Sequence, residues 1–509
     1  MLLSQLLFSS ELDYTLYTSG SNILRMSAPA IDVKEIFCDS RKVVIGGLYV
    51  AIEGIHQDSH AYVSEACEHG AVAAVVSRAA LADGRVQANN CYVPLIAVDD
   101  TRAALAYLYA AWYGNPQKRL KFIGVTGTCG KTTVCSLIRH VMNASGIATG
   151  LIGTNGSLSR SGKVDVQSSD PLANMTTPDP PELYRALNTM AEDGVEYVIM
   201  EVSSHALALR KVDPIYFDVA VFTNLGDDHL DFHINKERYF DAKSQLFTRC
   251  RQAIINVDDA YGKRLAAVYG TGAVTCSAEG NSAGMCAVDV SLSARGTEYK
   301  LLSRRMRLRV RTQMIGRVSV MNTLEAITAC HLCGVSTRDI KDGVASFSGV
   351  CGRFEKIRLD TDYSVYIDFA HTPDSLESLL RTARQIARRG QRIVLLFGCG
   401  GDRDRQKRAA MGRVASEMAD MVIVTSDNSR SEKPMDIIGE ILCGIEDGAA
   451  YTVIEDRRAA IEFAIKNARA GDIILLAGKG HEQYEIDKSG RHAFSEREIV
   501  SELARKYKY

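Results

Sequence analysis

The segment that most constrains the fold of this chain is residues 121–133, Lys-Phe-Ile-Gly-Val-Thr-Gly-Thr-Cys-Gly-Lys-Thr-Thr. Its first residues are apolar and are typical of the end of a buried strand. Apolar residues then recur at the spacing of one helix face: Val134, Leu137, Ile138, Val141 and Met142. A glycine-rich turn between a strand and a helix N-terminus presents backbone N–H groups and the positive helix dipole to phosphate. The segment therefore predicts a phosphate-binding loop.

Each residue type in this loop suits that role. Lys131 is placed to reach the β and γ oxygens of a polyphosphate, and the Thr132 hydroxyl is placed to bind Mg²⁺. The loop consists of Thr126, Gly127, Thr128, Cys129, Gly130, Lys131, Thr132 and Thr133. The longer form of the pattern has glycine at the position of Val125, so the match is to a shorter variant. A glycine-rich turn without a ligand is the alternative.

Length and charge limit the function classes. A chain of 509 residues exceeds a single hydrophobic core, and about three domains are expected. With 60 Lys and Arg against 61 Asp and Glu, no global field favours nucleic acid or anionic membrane, so we expect neither as a partner. Thirteen scattered cysteines and the absence of a cleavable signal indicate a reducing cytoplasm. No apolar run approaches membrane-spanning length, so we expect no membrane insertion.

The order of apolar segments predicts three α/β domains, at residues 1–118, 119–350 and 351–509. The first has short strands at 47–52 and 71–76. The second alternates strands with helical patterns and indicates a parallel sheet covered by helices. The third resumes this alternation, with strands at 365–367, 393–397, 421–424 and 473–476.

Two further patterns have a structural interpretation. Cys330 and Cys333 have the spacing of half a zinc site, but they lie in a helical pattern without a second pair nearby. We interpret them as ordinary helix cysteines.

Arginines alternate with apolar residues at Arg305, Arg307, Arg309 and Arg311. No aromatic residues accompany them, so a solvated strand face is favoured over a nucleic-acid site.

Two polar motifs of the middle region directly follow apolar strands. Ligands bind beyond the carboxyl ends of parallel strands, so these motifs are expected to converge with the phosphate-binding loop. Glu201 ends one strand and offers a carboxylate to Mg²⁺. His229 follows the next strand and could add a nitrogen ligand, although imidazole is unusual for so hard a cation. Taken singly, each also fits a structural role, as a satisfied strand-end carboxylate or a turn histidine.

The last third carries four polar loops after strands, at 367–374, 397–404, 425–430 and 477–482. Arg403 and Arg430 are forked donors suited to carboxylates, and Glu482 can pair with an ammonium. Together they suit a zwitterionic amino acid. Arg403 occupies the third glycine position of a dinucleotide fingerprint, which argues against such a site. Surface charges in loops are the alternative interpretation.

These residues resemble the Mur ligases of peptidoglycan synthesis. The resemblance extends from Asp39-Ser-Arg41 to Gly478-Lys-Gly-His-Glu482. The phosphate-binding loop is shared with a wider superfamily that includes folylpolyglutamate synthases. The combination of Asp39-Ser-Arg41 with Asp427-Asn-Ser-Arg430 and Gly478-Lys-Gly-His-Glu482 is more specific, to members that add the third residue of the stem peptide. The resemblance implies an N-terminal UDP-binding α/β module, a central P-loop ATPase domain on a parallel sheet, and a C-terminal Rossmann-like domain.

The resemblance also implies a reaction. ATP phosphorylates the free D-glutamate carboxylate of UDP-MurNAc-L-Ala-D-Glu, and the amine of a free diamino acid attacks the acyl phosphate to give amide, ADP and phosphate. ATP and Mg²⁺ are the implied cofactors, and a cytoplasmic monomer is the expected form. Catalysis in such a reaction rests on positioning and charge neutralisation.

Site residues follow from the resemblance position by position. Lys131 and the loop backbone would stabilise the transferring phosphoryl group, while Thr132, Glu201 and His229 would serve Mg²⁺. Lys243 matches the lysine that the family carbamylates, although the sequence alone favours an exposed helix lysine. Asn322 matches an adenine contact and Arg353 an arginine from the last domain. Substrate positions are matched by Cys38, Ser40, Ile55, His56, Gln57, Thr176, Thr177, Ser203, Lys211, Arg403, Asp427, Asn428, Ser429, Arg430, Gly478 and Glu482.

Several positions depart from the family pattern. Met175 stands where asparagine is common, Leu209 where some members have glutamine, and Ser319 where asparagine is expected. Lys211 replaces an arginine, which keeps the charge but removes the bidentate fork. Binding of the nucleotide substrate is the property that these changes affect most.

The identity of the third residue depends on residues 427–430. Members that add diaminopimelate usually read Asp-Asn-Pro-Arg, and the arginine meets the extra carboxylate. This chain keeps Arg430 but has Ser429 in place of proline, which frees a backbone angle. We expect meso-diaminopimelate, with lysine or ornithine as alternatives. Three competing functions are a folylpolyglutamate-synthase-like ligase, a P-loop switch or motor ATPase, and a binding protein that has lost catalysis.

Overall fold

The computed structural model describes residues 1–18, 21–23, 29–54, 57–87, 91–164, 175–304 and 306–507. Ile55, His56 and Arg305 of the predictions above lie outside these ranges. The α-helices are α1 Leu3–Ser10, α2 Val63–Glu68, α3 Arg78–Ala82, α4 Thr101–Trp112, α5 Lys131–Ala144, α6 Pro180–Glu192, α7 Ser204–Ala208, α8 Leu230–His233, α9 Lys236–Ser244, α10 Ala260–Tyr269, α11 Arg317–Leu332, α12 Thr337–Ser346, α13 Pro373–Ile386, α14 Gln406–Met418, α15 Pro434–Leu442, α16 Arg457–Lys466 and α17 Glu496–Lys506. Short 3₁₀ helices cover Ser40–Lys42, Ser59–Tyr62, Pro116–Lys118, Gln245–Arg249 and Gly270–Gly272.

The first sheet is built by six strands in the order β2-β1-β6-β5-β4-β3. Their bounds are β1 Thr15–Thr18, β2 Ser21–Ile23, β3 Glu35–Phe37, β4 Gly47–Val50, β5 Ala71–Ser77 and β6 Leu95–Val98. Strands β3 to β6 pair in parallel, and β1 is antiparallel to both of its neighbours. The strands predicted at 47–52 and 71–76 are present as β4 and β5. Both are almost fully apolar because helices cover both faces of this part of the sheet.

The second sheet has eleven strands in the order β10-β9-β8-β11-β7-β12-β13-β14-β15-β16-β17. Their bounds are β7 Lys121–Thr126, β8 Thr149–Gly153, β9 Gly156–Leu158, β10 Lys163–Val164, β11 Tyr197–Glu201, β12 Phe217–Phe222, β13 Cys250–Asn256, β14 Ala273–Ser277, β15 Met285–Ser293, β16 Gly296–Ser303 and β17 Arg307–Thr312. The sheet is mixed: β8–β11, β13–β14 and β14–β15 are parallel, whereas hairpins at both edges are antiparallel. The sequence predicted this parallel part and the arginine-rich strand β17 but not the other hairpin strands, because short strands with one solvated face lack the continuous apolar runs of buried strands.

Strand β17 shows why the arginine-rich segment is a surface. Arg307, Arg309 and Arg311 are exposed on one face of this edge strand. Arg309 and Arg311 both form ion pairs with Glu298 of the neighbouring strand β16. The prediction of a solvated arginine face is therefore confirmed for these three residues.

The third sheet has six strands in the order β18-β19-β23-β20-β21-β22. Their bounds are β18 Glu355–Ile357, β19 Ser364–Asp368, β20 Ile393–Phe397, β21 Met421–Val424, β22 Tyr451–Val453 and β23 Ile473–Ala477, and a separate hairpin joins β24 Tyr484–Asp487 to β25 Gly490–Ala493. All pairs except the edge pair β18–β19 are parallel. Helices pack on both faces, with α13 to α15 on one core and α16 and α17 on the other. The loops predicted to carry polar chemistry follow β19, β20, β21 and β23.

The chain divides into two compact units. The first unit comprises Met1–Gly124, Ile147–Ala220 and Gln245–Arg251, and the second comprises Val125–Gly146, Val221–Ser244 and Gln252–Tyr509. The predicted α/β class is confirmed, while the boundaries near residues 118 and 350 stay predictions. Within the described ranges, no helix combines the length and apolar character that crossing a bilayer requires.

Candidate active site

In the second unit, the phosphate-binding loop connects β7 to α5 as predicted. Two glycines of the loop are required because neighbouring atoms come too close to leave room for a side chain. A Cβ at Gly127 would lie 1.9 Å from Thr223 Oγ1, and a Cβ at Gly130 would lie 2.7 Å from Asn322 Oδ1. Gly130 is left-handed, and no side chain caps the first N–H groups of α5. A loop with exposed N–H donors and glycine at both bends suits a polyphosphate.

The next loop along the sheet fixes this loop from the side. Asn224 Oδ1 accepts a hydrogen bond from the backbone N–H of Cys129 (2.9 Å), and the Cys129 carbonyl accepts one from Thr223 Oγ1 (2.6 Å). The Thr128 hydroxyl accepts from the Gly226 N–H and lies 3.1 Å from the Tyr239 hydroxyl. The loop is therefore preorganised by protein contacts alone.

Two lysines converge on one carbonyl of the loop. Lys131 Nζ donates to the carbonyls of Gly127 and Thr128, each at 2.8 Å. Lys243 Nζ, from α9, donates to the same Gly127 carbonyl at 2.8 Å and lies 4.5 Å from the centre of the Tyr239 ring. Lys243 is 1% exposed, so the expectation of an exposed helix lysine is wrong. The fold buries this side chain because the loop carbonyl supplies its partner.

Burial changes the chemistry of Lys243. Desolvation lowers its pKa well below the ordinary value of 10.5, and the neighbouring Lys131 charge lowers it further. Asp228 acts in the opposite direction but does not offset the burial. Lys243 is thus an amine with a strong tendency to be uncharged.

Thr132, Thr133, Asn322 and Arg353 also lie in this unit. Thr132 and Thr133 belong to the first turn of α5, and Thr132 Oγ1 accepts a hydrogen bond from Arg353 Nη2 at 3.3 Å. Arg353 stacks over the Phe369 ring at 4.8 Å. The structure therefore brings Arg353, which lies just before β18, to the hydroxyl that is predicted to bind Mg²⁺.

His229 and its neighbours form a charged group near the loop. His229 has a left-handed backbone, and its Nε2 lies 3.3 Å from Asp228 Oδ2. Burial opposes ionisation of Asp228, but His229, His371 and Lys407 outweigh it and hold the pKa of this carboxyl below its ordinary value. His371 Nδ1 donates to the Phe369 carbonyl at 2.8 Å, since a carbonyl can only accept. Asp228 was not predicted, although its position beside His229 was a usable signal.

In the first unit, Glu201 ends β11 and is 1% exposed. Its two carboxylate oxygens accept hydrogen bonds from the backbone N–H and the hydroxyl of Thr154, at 2.9 and 3.1 Å. A Cβ at Gly153 would lie 2.1 Å from Glu201 Oε1, so only glycine fits there. The two hydrogen bonds from Thr154 therefore fix the position of the Glu201 carboxylate. Thr154, in the turn after β8, had no sequence signal.

Thr176, Thr177 and Ser203 lie around Glu201. The hydroxyl oxygens of Thr154 and Thr176 lie 3.2 Å apart, and the Thr177 hydroxyl donates to the Glu201 carbonyl at 2.8 Å. Thr177 Oγ1 also accepts from the Ser203 N–H at 3.0 Å, and Ser203 caps α7. The structure thus brings together three predicted substrate positions and the predicted carboxylate ligand.

Lys211 belongs to the same unit and is buried. Its Nζ lies 2.6 Å from Asp179 and 3.0 Å from the Met175 sulfur. Two of the departures from the family pattern, Lys211 and Met175, are therefore in direct contact. The single ammonium forms an ion pair without the planar fork of an arginine.

The predicted uridine positions belong to the first sheet. The Ser40 hydroxyl donates to Glu65 Oε2 at 3.0 Å, and Ser40 begins a 3₁₀ turn capped by Asp39. Cys38 is exposed. Gln57 is exposed and donates to the Tyr62 hydroxyl.

The second unit also holds the predicted amino-acid site. Arg430 Nη1 donates to the Gly401 carbonyl at 2.8 Å, and Arg403 Nη1 donates to the Asp402 carbonyl at 3.1 Å. A Cβ at Gly400 would lie 2.9 Å from Arg430 Nη1 and 3.9 Å from Arg403 Cγ, so both arginines flank this glycine. Burial and the charge of Arg403 lower the pKa of Arg430. Since the charge of Arg403 acts on Arg430, an anion bound beside both cations is favoured.

Acidic and amide groups lie opposite the arginines. Asn428 Nδ2 donates to Glu482 Oε2 at 2.8 Å, and Asn428 Oδ1 accepts from the buried ammonium of Lys479 at 3.0 Å. A Cβ at Gly478 would lie 2.5 Å from Asp427 Oδ2, so glycine allows this carboxylate to approach. Burial raises the pKa of Glu482, and Asp427 raises it further. Lys479 was missed, although it lies inside the Gly478-Lys-Gly-His-Glu482 motif.

The loop that lacks proline is nevertheless well held. Ser429 is 4% exposed, and its carbonyl accepts from the Glu432 N–H at 3.0 Å. The Asn428 carbonyl accepts from the Gly401 N–H at 2.9 Å, and the Arg430 N–H donates to the Ile486 carbonyl at 3.1 Å. Arg430 itself has a positive φ of 51°. These bonds fix the loop in the absence of the proline ring.

Comparisons with known proteins give one consistent family. Residues 125–330 match the family model described as Mur ligase middle domain, and residues 352–480 match Mur ligase, glutamate ligase domain. Residues 32–113 match the model described as Mur ligase family, catalytic domain.

Individual proteins extend the similarity over nearly the whole chain. A protein of Clostridium acetobutylicum, UDP-N-acetylmuramoyl-L-alanyl-D-glutamate--2,6-diaminopimelate ligase 1, is 39% identical over 475 residues, covering 93% of this chain and 95% of that protein. A protein of Halalkalibacterium halodurans with the same name, without the final numeral, is 40% identical over 484 residues, covering 94% and 95%. A solved structure of UDP-N-acetylmuramoyl-L-alanyl-D-glutamate--2,6-diaminopimelate ligase is 28% identical, with a TM-score of 0.66 and full coverage of both chains.

Proposed function

The chain belongs to the Mur ligase family, and from this membership we propose that it joins meso-diaminopimelate to UDP-MurNAc-L-Ala-D-Glu in an ATP-dependent reaction. The similar proteins that carry diaminopimelate ligase names cover more than nine-tenths of this chain. The competing function, a folylpolyglutamate-synthase-like ligase, leaves the match of residues 32–113 and the amino-acid site without a role.

The residues of the loop have distinct tasks in this reaction. ATP supplies the phosphoryl group that activates the D-glutamate carboxylate as an acyl phosphate. Lys131 exchanges its two carbonyl partners for phosphate oxygens, and the uncapped N–H groups of the first turn of α5 donate to the same anion. Arg353 adds a second cation beside Thr132. Asn322, whose amide lies against Gly130, is assigned to the adenine.

Magnesium is the second proposed cofactor. Thr132, Glu201, His229 and Lys243 would serve it. Among the described residues, no group of three or more His, Cys, Asp and Glu side chains is arranged to hold a metal by itself. That fits Mg²⁺ at a nucleotide, since this ion uses one or two carboxylates together with substrate phosphates rather than a protein cage.

Lys243 is proposed to act as its carbamate. A neutral amine reacts with carbon dioxide, and the lowered pKa of Lys243 favours that neutral form. The carbamate would carry a negative charge next to Lys131 and offer oxygen to the metal.

The amino-acid site is the observation that carries the choice of substrate. Arg430 and Arg403 at Gly400 provide two forked donors, which suit a carboxylate that lysine and ornithine lack. Asp427 and Glu482 provide anions for ammonium groups. Arg430 is partly buried, and its printed hydrogen bonds go to the backbone carbonyls of Gly401 and Asn428, so a substrate that brings a second carboxylate to it is favoured.

A competition experiment tests this choice. The chain is incubated with ATP, Mg²⁺, UDP-MurNAc-L-Ala-D-Glu and equal amounts of meso-diaminopimelate, lysine and ornithine, and the nucleotide products are separated by mass. We expect the diaminopimelate product to dominate. A lysine or ornithine product in excess would contradict the proposed substrate but not the ligase reaction.

The nucleotide substrate accounts for a further set of residues. Cys38, Ser40 and Gln57 are assigned to its uridine end, and Lys211, Thr176, Thr177 and Ser203 to its sugar and peptide. We further propose three domains at 1–118, 119–350 and 351–509, and a cytoplasmic monomer without nucleic-acid partners or membrane insertion.

A further inference from the structure

Arg457, the first residue of α16, is a fully buried arginine. Its guanidinium bonds to residues at the start of the two loops of the amino-acid site and to Glu496. Its Nη1 donates to the Ser426 carbonyl at 3.0 Å, and its Nη2 donates to the Ala477 carbonyl at 2.8 Å. Its Nε donates to Glu496 Oε1 at 2.9 Å, and Nη2 lies 2.8 Å from the same oxygen. The side chain of Glu496 is 2% exposed, so the anchor is buried as well.

The two carbonyls begin the two loops that form the site. Ser426 directly precedes Asp427, and Ala477 directly precedes Gly478. The preceding strands β21 and β23 are not neighbours, because β20 lies between them in the sheet. Sheet hydrogen bonds therefore do not join these two loops. Asn428 links them through Lys479 and Glu482, and the Arg457 guanidinium links their first carbonyls.

Arg457 also contributes charge. Its Nη1 lies 3.8 Å from Asp427 Oδ2. Burial opposes ionisation of Asp427, but Lys479 and Arg457 outweigh it and hold the pKa of this carboxyl below its ordinary value. Asp427 is thus kept as an anion able to receive an ammonium.

A purely structural role is the competing explanation. A buried pair of Arg457 and Glu496 would stabilise the packing of α16 against α17. That role explains the bond to Glu496. It does not require that the other two donors go to the carbonyls immediately before the substrate loops.

We propose that Arg457 is a positioning residue that sets the separation of loops 426–430 and 477–482 and thereby the selectivity for the diamino acid. This inference rests on the proposed function. The guanidinium fork is the essential feature, since a lysine ammonium at the same place cannot hold two carbonyls and a carboxylate in one plane.

The test compares Arg457→Lys with Arg458→Lys in the full chain. Arg458 is the next residue of the same helix and forms an exposed ion pair with Glu502, so it is a matched control. We expect Arg457→Lys to lower kcat/KM for meso-diaminopimelate by about a hundredfold, mostly through KM, because small misplacements of binding groups have effects of this size. In Arg457→Lys we expect unchanged KM values for ATP and for the nucleotide substrate. The ratio of kcat/KM for meso-diaminopimelate to kcat/KM for lysine should fall.

A second variant covers the case in which Arg457→Lys does not fold. Glu496→Gln keeps an acceptor for Arg457 but removes the charge that orients it, so we expect a smaller rise of the same KM alone. Equal changes in all three KM values, or no change in either folded variant, would overturn the inference. A wild-type chain without diamino-acid-dependent turnover would instead overturn the proposed function, and the inference with it.

Discussion

Lys243 is a lysine buried beside a second lysine, and it shares one carbonyl acceptor with it. Its pKa is lowered well below 10.5, first by burial and then by Lys131. Burial thus favours the neutral amine, which is the form that reacts with carbon dioxide. This residue is where the proposed chemistry is most open to direct test.

We predict that Lys243 carries a carbamate and that Lys243→Ala lowers kcat by about a hundredfold to a thousandfold, as loss of an electrostatic catalytic group does. Carbon-13 NMR after incubation with labelled bicarbonate should show a carbamate signal in the wild type that the variant lacks. Lys236→Ala, which removes a partly exposed lysine of the same helix, keeps signal and activity. An identical signal in Lys243→Ala would refute the assignment.

Arg430 is predicted to recognise the second carboxylate of the substrate. Arg430→Lys should lower kcat/KM for meso-diaminopimelate by about thirtyfold, corresponding to about 2 kcal/mol for one charged hydrogen bond. Turnover of lysine should not fall. Steady-state kinetics with both amino acids measure this, and Arg413→Lys on the exposed face of α14 is the control. Equal losses for both amino acids would remove Arg430 from substrate selection.

Glu325 is a buried carboxyl whose two oxygens find no hydrogen-bond partner among the described residues. Burial raises its pKa well above the ordinary 4.5, and Asp258 raises it further. The folded state thus binds a proton that the unfolded state releases above about pH 4.5, so stability falls as pH rises from there toward the folded pKa.

We predict that Glu325→Met raises Tm, by an amount that is smallest near pH 4.5 and grows toward pH 8. The gain corresponds to about 1–3 kcal/mol for removing an unsatisfied buried group. Thermal unfolding at several pH values measures it, with the exposed Glu417→Met as control. A gain that does not depend on pH would mean that Glu325 is not protonated in the folded chain.

At the scale of elements, the turn between β7 and α5 depends on glycine at two places. Gly127 has φ of +150°, and a side chain there would meet Thr223 at 1.9 Å. The contact is with the threonine that also holds the Cys129 carbonyl. Any displacement of Thr223 would therefore disturb the loop itself.

We predict that Gly127→Ala reduces ATP affinity by at least about tenfold, because the added Cβ displaces Thr223 and with it the Cys129 carbonyl of the loop. Gly439→Ala in α15 is the control, because a Cβ there meets nothing within 4 Å and an exposed helix gains about 0.5–1 kcal/mol from this change. Titration calorimetry measures the loss of ATP affinity, and thermal unfolding measures any change in stability. Unaltered affinity in Gly127→Ala would show that the loop tolerates the displacement.

The sequence predicted elements with strong periodicity and missed those without it. The segment 121–144 was assigned correctly because apolar residues switch from strand to helix spacing at the glycines. Of the hairpins at the edges of the central sheet, the arginine-rich strand β17 was predicted from its alternation, whereas β9 and β10 are too short to give a periodic signal. Thr154 gave no signal because its role depends on Glu201, 47 residues away.

The same limit applies to buried charges. From the sequence alone, Lys243 is expected on the surface, because its partner Gly127 is 116 residues away along the chain. Arg457 was not singled out for the same reason, because its two carbonyl partners, Ser426 and Ala477, are 31 and 20 residues away along the chain. Sequence motifs identified the functional loops, but the buried side chains that hydrogen-bond to those loops became visible only in the fold.

At the scale of the whole molecule, the reaction requires that water be excluded from the acyl phosphate. The hydrogen bond of Arg353 to Thr132 joins the segment after residue 350 to the phosphate-binding helix. We predict that the radius of gyration falls when an ATP analogue and the nucleotide substrate bind together. Small-angle scattering with and without these ligands measures it, and an unchanged radius would argue against closure.

The most direct test of the proposed ligase reaction is phosphate release from ATP in the presence of Mg²⁺ and UDP-MurNAc-L-Ala-D-Glu, with each diamino acid added in turn. We predict rapid release with meso-diaminopimelate and little with lysine, with ornithine or without a diamino acid. Release that is independent of any diamino acid would contradict the proposed ligase reaction, and release that depends on lysine alone would contradict the proposed substrate.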